Sequence, residues 1–305
     1  MEGTIGVIGL GVIGAPIAHK LYKWNKNRFV LIASGNRKEK LINNRITINN
    51  EEFAPQIISD KTTLSNELSL IIVCVKNFQL ESAIKDIKRV ISRNTILLPL
   101  ENGIVAYRKL REAFPENVIL EGYVQGPNTI KKDLIFQYSN PGKLHMGSSQ
   151  TKYCDDAIDI YLLLKDAAIP IIYEAEIKKM VWKKWMLNVA GNTVTALLDA
   201  SYADFKNSIE LQNICRKIMD EFITVAIAEH IYLEEQDVEN IISYFINYKG
   251  DKITSMLDDV RNKNRTENDY ITGEIIRVAK KHGIVTPVND TMYMLVKAKE
   301  SLYLK

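Results

Sequence analysis

The sequence predicts an α/β protein in which a mostly parallel sheet with helices on both faces is followed by an all-α C-terminal part. Two observations carry this prediction. Between Thr4 and Tyr173, short apolar runs of strand length alternate with segments of helical periodicity. From Ala175 onwards the strand patterns almost cease, and helical periodicity dominates.

The first segments have the pattern strand, glycine turn, helix, strand, which is a βαβ unit. These two strands are predicted over 4–9 and 29–33, with a helix between them that extends to Lys23. Such continuous runs of Val, Ile and Leu are typical of parallel strands buried on both faces, as in a Rossmann-type domain. The same alternation predicts three further strands and two helices, over 70–75, 95–98, 118–120, 79–91 and 104–114.

The pattern changes after the last of these strands. Two short strand patterns between Leu134 and Met146 are separated by the turn residues Ser139-Asn-Pro-Gly142. This predicts a hairpin that forms an antiparallel edge of the sheet. A final short strand is predicted over 170–173.

The length of 305 residues is sufficient for two hydrophobic cores. We place the boundary near Glu174, where the strand patterns end. The prediction is therefore a dinucleotide-binding Rossmann domain over 1–174 and a helical substrate-binding and catalytic domain over 175–305.

Composition argues against several classes of protein. The chain has 40 Lys and Arg against 37 Asp and Glu, too balanced for a surface dedicated to nucleic acid. The longest strongly apolar stretch, 68–75, is far shorter than the ~20 residues that cross a bilayer. A strand pattern begins at once at the N-terminus, so no export signal is recognisable. We expect a cytoplasmic protein with neither a nucleic-acid partner nor a membrane partner.

Cysteine and histidine usage predicts reduced thiols and no metal. The cysteines are three in number, widely separated, and form no CxxC pair. The four histidines form no HxH or HxxxH pair. Neither set has the spacing of zinc ligands.

A glycine-rich turn follows the first strand and opens the first helix. It fits G-x-G-x-x-G in the context that gives this motif a mechanism. Gly9 permits the tight turn, Gly11 lets the backbone approach a pyrophosphate, and Gly14 lets helix and strand pack closely. The helix N-terminus offers free N–H groups to the phosphates. The predicted cofactor-binding residues of this turn are Gly9, Leu10, Gly11, Val12, Ile13 and Gly14.

The residues after the second strand determine the choice of cofactor. An Asp or Glu there would bind the ribose 2′-hydroxyl of NAD. This chain has Ser34-Gly-Asn-Arg37-Lys38, with no acid before Glu39. A hydroxyl and two cations suit a 2′-phosphate better, so NADP is favoured over NAD, with Ser34 and Arg37 as cofactor-binding residues. A solvated basic turn remains the alternative.

One stripe of polar residues interrupts an apolar helical segment. Lys184, Asn188 and Asn192 are spaced by four residues and therefore lie along one helix face. Hydride reduction of a ketone creates an alkoxide, which an ammonium group can stabilise and protonate. We therefore interpret Lys184 as a candidate general acid, and its neighbour Lys183, on another face, as a solvated lysine.

Several motifs in order resemble the ketopantoate reductase (2-dehydropantoate 2-reductase) family across nearly the whole chain. The resemblance implies an all-α C-terminal domain of the 6-phosphogluconate dehydrogenase-like kind and the NADPH-dependent reduction of ketopantoate, a step of pantothenate biosynthesis. The motifs are Gly9 to Gly14, Val75-Lys-Asn-Phe-Gln79, Glu101-Asn-Gly103, Trp182-Lys-Lys184 with Asn188 and Asn192, Ser255-Met-Leu-Asp-Asp-Val260, and Arg265-Thr-Glu-Asn-Asp-Tyr-Ile-Thr-Gly273.

The resemblance also implies roles for individual residues. Lys184 matches the catalytic lysine of the family, and Glu267 matches the carboxylate that works with it near the substrate hydroxyl. Ser255 matches the hydroxyl that holds the substrate carboxylate, and Lys76 matches a lysine beside the cofactor. The asparagines that match those of the substrate pocket are Asn102, Asn188 and Asn192, and Asn102 also lies beside the cofactor.

The chain departs from the family pattern near the cleft. Ser34 stands where the family commonly has an arginine, and Val105 replaces the second glycine of the Asn-Gly-x-Gly turn. Two alternatives to ketopantoate reduction therefore stay open. One is a reductase of a different 2-oxo acid or an opine-type precursor, and the other is a non-catalytic NADPH-binding regulator. The long apolar helices of the C-terminal half could supply a homodimer interface.

Overall fold

The computed structural model describes residues 3–64, 66–248 and 250–304. The chain divides into two compact units, 1–178 and 179–305. We call them unit 1 and unit 2. The predicted roles of the two domains, and their predicted boundary near Glu174, stay predictions.

Unit 1 contains twelve strands and five complete helices in its described residues. The strands are β1 (Thr4–Ile8), β2 (Phe29–Ile32), β3 (Thr47–Ile48), β4 (Glu51–Glu52), β5 (Gln56–Ile58), β6 (Leu68–Val73), β7 (Ile96–Pro99), β8 (Glu121–Gln125), β9 (Asn128–Lys132), β10 (Ile135–Asn140), β11 (Lys143–Gly147) and β12 (Ile171–Tyr173). The helices are α1 (Gly14–Asn25), α2 (Gly35–Ile42), α3 (Leu80–Val90), α4 (Val105–Ala113) and α5 (Cys154–Asp166).

The central sheet is parallel, as predicted, with the strand order β5-β2-β1-β6-β7. Its middle strand β1 is buried along its whole length, because helices cover both sides of the sheet. Residues of α1 and α5 pack into the core on one face, and residues of α3 and α4 pack into the core on the other. This is the doubly wound architecture predicted from the continuous apolar runs.

The predicted hairpin between Leu134 and Met146 is wrong. β10 pairs with β9 and β3, whereas β11 pairs with β8 and β12 in a different sheet. The turn between them therefore connects two sheets. Gly142 takes a positive φ of 80° there, and its N–H donates to Asn140 Oδ1 at 3.0 Å. These local bonds fix the turn without pairing the flanking strands.

The strand predicted over 118–120 is displaced along the chain. Ile119 forms only an isolated parallel bridge with Leu97, and the regular strand β8 begins at Glu121. The glutamate is buried and accepts a hydrogen bond from the Ser149 N–H at 2.9 Å. This long-range hydrogen bond offsets the cost of burying the Glu121 carboxylate. The apolar pattern ends before Glu121 because that residue is polar.

Helix α6 (Ile177–Leu198) begins in unit 1 and continues into unit 2. No strand occurs among the described residues of unit 2, in agreement with the predicted all-α part. No described helix has the length and apolar character required to span a membrane. The remaining helices are α7 (Ile209–Ala228), α8 (Glu235–Ile246), α9 (Ser255–Arg261), α10 (Asn268–Lys281) and α11 (Pro287–Ser301).

Aromatic packing fixes α6 within the core of unit 2. The rings of Trp182 and Trp185 lie 5.8 Å and 5.0 Å from the ring of Phe222, in edge-on arrangements that aromatic pairs prefer. Trp185 is fully buried, and its Nε1 donates to the Ile271 carbonyl at 3.0 Å. These contacts set the rotation of α6 about its axis and thereby the direction of its polar face.

Candidate active site

The glycine turn of unit 1 has the geometry that its motif requires. Gly9 has φ of +99°, and a Cβ at this position would lie 2.6 Å from the carbonyl carbon of Cys74. A Cβ on Gly14 would collide with the Gly9 carbonyl oxygen. Around Gly11, in contrast, a Cβ would meet no atom within 4 Å. Gly9 and Gly14 are thus needed by the fold, whereas Gly11 leaves open space beside the backbone.

The N-terminus of α1 carries no protein anion. Ile13 precedes the helix and provides no side-chain cap, and the first turn contains no acidic residue. The initial amides and the positive end of the helix dipole are therefore suited to a phosphate. Along the turn, Leu10 is buried, whereas Val12 is exposed. A pyrophosphate fits the residues that are present.

The end of β2 differs from what the sequence alone indicates. The Ser34 hydroxyl donates to Asp86 Oδ1 of α3 at 2.6 Å, so a carboxylate does lie next to this position. Asp86 is not recognisable from the sequence as a neighbour of Ser34, because it belongs to a different βα unit. Arg37 of α2 is exposed, and its Nη2 donates to the Leu10 carbonyl at 3.4 Å. The guanidinium of Arg37 therefore lies against the glycine turn.

Two loops at the carboxyl ends of neighbouring strands are held together. Lys76 follows β6, and Asn102 follows β7. The Asn77 side chain donates to the Asn102 carbonyl at 3.1 Å and so connects the loops. Parallel sheets bind ligands at this edge. The structure thus brings Lys76 and Asn102 to the same edge as the glycine turn, and identifies Asn77 as their connection.

The polar stripe of α6 is a feature of unit 2. Lys184 is half-buried, whereas Asn188 and Asn192 are buried. Burial, and secondly the positive charge of Lys252, lower the pKa of Lys184 to about 8. Asn192 Nδ2 is buried and has no hydrogen-bond partner among the residues that the structure describes. The stripe therefore presents an easily deprotonated ammonium group and an unsatisfied amide donor.

Lys183 is not the solvated lysine that was expected. Its Nζ lies 2.6 Å from Asp237 Oδ1, and only 28% of its side chain is exposed. The two neighbouring lysines thus have opposite surroundings. Lys183 neutralises a buried carboxylate of α8, whereas the pKa of Lys184 is lowered by a second cation, Lys252. The sequence does not distinguish these environments except by helix face.

The other predicted residues of unit 2 lie at helix starts. Ser255 is the first residue of α9 and is exposed, while the preceding Thr254 caps that helix through the Leu257 N–H at 3.2 Å. The Thr254 hydroxyl also lies 2.7 Å from the Thr195 hydroxyl, which connects α9 to the end of α6. Glu267 is buried and immediately precedes α10. The predicted partnership of Glu267 with Lys184 stays a prediction.

A metal site is not evident. Within the described ranges, no group of three or more His, Cys, Asp or Glu side chains is arranged to hold a metal ion. Cys74, Cys154 and Cys215 are all free thiols. Burial raises the pKa of the Cys74 and Cys215 thiols, which disfavours their reactive thiolate form.

A Rossmann-type sheet with a glycine turn, joined to an all-α part, defines the class of two-part dinucleotide-binding oxidoreductases. Family models described as "Ketopantoate reductase PanE/ApbA" and "Ketopantoate reductase PanE/ApbA C terminal" match residues 5–151 and 176–300. The chain belongs to this family, which confirms the resemblance read from its motifs. It is accordingly an oxidoreductase of the class that acts on CH–OH groups.

Individual relatives are similar to this chain in sequence, and solved structures share its fold. A 2-dehydropantoate 2-reductase of Aquifex aeolicus is 28% identical over 77% of this chain and 78% of its own length. One of Streptococcus pyogenes serotype M6 is 26% identical over 97% of both chains. A D-mandelate dehydrogenase structure with NADH has a TM-score of 0.87 at 25% identity, covering 98% of this chain and 99% of that one. A ketopantoate reductase structure from Ralstonia eutropha JMP134 has a TM-score of 0.83 at 21% identity, covering 99% and 100%.

We predict that Gly11→Ala weakens dinucleotide binding without affecting folding. The added methyl group meets no protein atom but occupies the space through which a pyrophosphate approaches the turn. Titration calorimetry should show a dissociation constant about tenfold higher, or about 1.4 kcal/mol. Val285→Ala is the control, because the exposed Val285 side chain belongs to unit 2 and not to the turn. Equal binding by the Gly11→Ala protein and the control would contradict this role.

Proposed function

We propose that the protein catalyses the NADPH-dependent reduction of a 2-oxo acid, with ketopantoate as the first candidate substrate and pantoate as the product. When bound, NADPH supplies the hydride to the keto carbon. Lys184 supplies the proton to the oxygen that becomes the hydroxyl. The observation that carries this proposal is the half-buried ammonium group of Lys184, whose pKa is lowered to about 8.

The lowered pKa suits a proton donor. An acid is most effective when its pKa lies near the operating pH. A large fraction of the molecules then carries the proton, and the driving force for transferring it is still favourable. A solvated lysine has a pKa of about 10.4 and is therefore a weak proton donor at neutral pH. Burial on α6 and the charge of Lys252 bring Lys184 closer to the useful range. The residual positive charge also stabilises the forming alkoxide.

Asn192 supports a substrate site along the same stripe. A buried amide donor without a partner costs about 1–3 kcal/mol. A substrate carbonyl or carboxylate oxygen bound at Asn192 Nδ2 would recover that energy. In this proposal the amides of Asn102, Asn188 and Asn192 and the hydroxyl of Ser255 orient the oxo acid. Glu267 orients Lys184 or binds a substrate hydroxyl, as the family resemblance implies.

The cofactor would be held by unit 1. The backbone of Gly9 to Gly14 suits the pyrophosphate, because Gly11 leaves space and the α1 N-terminus has no competing anion. Ser34 and Arg37 follow β2, where this fold would bind the ribose, and Lys76 and Asn102 follow β6 and β7. The preference for NADPH over NADH is part of the proposal. So are the cytoplasmic location and the homodimer.

A second candidate is the reduction of a bulkier, aromatic 2-oxo acid with NADH. The D-mandelate dehydrogenase structure that matches this chain contains NADH. Next to Lys252, this chain has a group of aromatic rings. Tyr248 lies 5.7 Å from the Lys252 ammonium, and Tyr202 packs on both Tyr248 and Phe245 at 5.1 Å and 5.2 Å. Tyr202 and Phe245 are buried in the core, so an aryl substituent would stack on the half-buried Tyr248.

We predict that Lys184→Ala lowers kcat about 10²- to 10⁴-fold, the usual effect of losing a general acid. Binding of NADPH should not change, because the proposal assigns the cofactor to unit 1. Stopped-flow absorbance at the nicotinamide band and equilibrium fluorescence would separate the two effects. Lys183→Arg is the matched control, since it replaces the adjacent lysine but keeps a cation for the ion pair with Asp237. Near-normal turnover by Lys184→Ala would refute the assigned role.

A substrate panel distinguishes the two candidate functions. We expect the wild-type protein to oxidise NADPH with ketopantoate at a higher kcat/KM than with phenylglyoxylate or linear 2-oxo acids. A preference for phenylglyoxylate together with NADH would replace the first candidate by the second. Cofactor binding without turnover on any member of the panel would instead indicate the non-catalytic regulator.

A further inference from the structure

We propose that Lys131 of β9, together with Arg37 of α2, binds the 2′-phosphate of NADPH and makes the protein selective for that cofactor. Lys131 belongs to the hairpin of β9 and β10, outside the five-stranded parallel sheet. It is not among the residues assigned above. The inference rests on the proposed function, because it specifies how the dinucleotide would be recognised.

The strand register places the side chains of Lys131 and its neighbour Lys132 on opposite faces of the hairpin. Lys131 pairs directly with Phe136, whereas Lys132 pairs with Ile135. Residues directly opposite each other in an antiparallel pair lie on the same face of the sheet. Phe136 is fully buried and Ile135 is half-exposed. Lys131 therefore starts from the face that carries the buried Phe136, and Lys132 starts from the outer face.

An ion pair connects this hairpin to α2. Lys40 Nζ lies 2.6 Å from Oδ1 of Asp133, the residue that turns the hairpin. Arg37 and Lys40 are three residues apart on α2 and therefore lie on the same side of that helix. The hairpin is thus held beside the helix that follows β2, where a 2′-phosphate is bound in this fold.

The charges around Lys131 are mostly positive. Lys131 is an exposed residue, yet partial desolvation lowers its pKa first, and Arg37, Lys40 and Lys76 lower it further, while Asp133 opposes them. Asp133 is already paired with Lys40. Arg37 extends to the Leu10 carbonyl in the glycine turn. Cations that destabilise one another in this way would be stabilised by a bound dianion.

Ser34 contributes less to phosphate recognition than its position indicates. Its hydroxyl proton is donated to Asp86 at 2.6 Å, and Asp86 is 3.9 Å from the guanidinium of Arg89. A hydroxyl committed to a carboxylate has no proton to give to a phosphate oxygen. The donors for a 2′-phosphate must therefore come from the α2 and hairpin side, where Arg37 and Lys131 lie.

The test compares Lys131→Gln with Lys132→Gln in the full-length protein. The dissociation constants of NADPH, NADH and 2′,5′-ADP are measured by titration calorimetry. We expect Lys131→Gln to weaken NADPH and 2′,5′-ADP about tenfold, as for loss of a charged hydrogen bond. NADH binding should be unchanged, Lys132→Gln should bind all three like the wild type, and Lys131→Arg should restore most of the affinity.

Three results would overturn the inference. Equal weakening of NADPH and NADH would assign Lys131 to the pyrophosphate, and identical behaviour of the two glutamine variants would remove any specific role. A wild-type preference for NADH would show that no 2′-phosphate site exists. All three leave reduction of a 2-oxo acid intact. Failure of the wild-type protein to turn over any oxo acid, with NADPH still bound, would refute the proposed function alone.

Discussion

The proposed proton transfer depends on the partial burial of one ammonium group, that of Lys184. A lysine in water holds its proton too tightly to act as an acid near neutral pH. Here burial and the neighbouring Lys252 lower its pKa to about 8. The rotation of α6 produces this environment, because Trp185, the next residue, is locked into the core and bonded to the Ile271 carbonyl. The packing of Trp185 on one side of α6 thus sets the environment of the Lys184 ammonium group on another side.

This arrangement opposes stability. Since the pKa of Lys184 is lower in the folded protein, the unfolded chain binds a proton more tightly than the folded chain does between about pH 8 and the ordinary lysine pKa. The free energy of unfolding therefore rises with pH across that interval, and below it the folded protein carries an unfavourable half-buried charge. The charge of Lys183, which is also partly buried, is instead neutralised by Asp237. For Lys184, the two causes of the pKa shift, burial and the charge of Lys252, both act against the protonated form.

Local patterns predicted the parts of the fold that depend on local physics. The continuous apolar runs predicted the parallel sheet, the glycine spacing predicted the tight turn at Gly9, and the four-residue spacing predicted the stripe of α6. Each follows from the geometry of one strand, turn or helix. The structure adds the burial of Asn188 and Asn192, which spacing alone does not give.

Contacts between distant segments were beyond sequence reasoning. The turn at Asn140 to Gly142 looked like a hairpin, because the partners of β10 and β11 lie elsewhere in the chain. Ser34 was predicted to bind the cofactor without knowledge of its bond to Asp86, which is 52 positions away. Lys131 was overlooked because β9 is a polar strand recognised only by its pairing with β10. For Ser34 and for β11, the deciding partner is brought close by the fold and not by the spacing of residues.

The most direct test is the ionisation of Lys184 itself. NMR of the protein labelled with ¹³C at lysine Cε, with the Lys184→Arg spectrum to assign the resonance, measures this pKa without reference to any substrate. Lys184 should titrate near pH 8, below the ordinary lysine pKa. A Lys184 resonance that titrates together with the solvated lysines would contradict the claim that α6 holds a prepared proton donor.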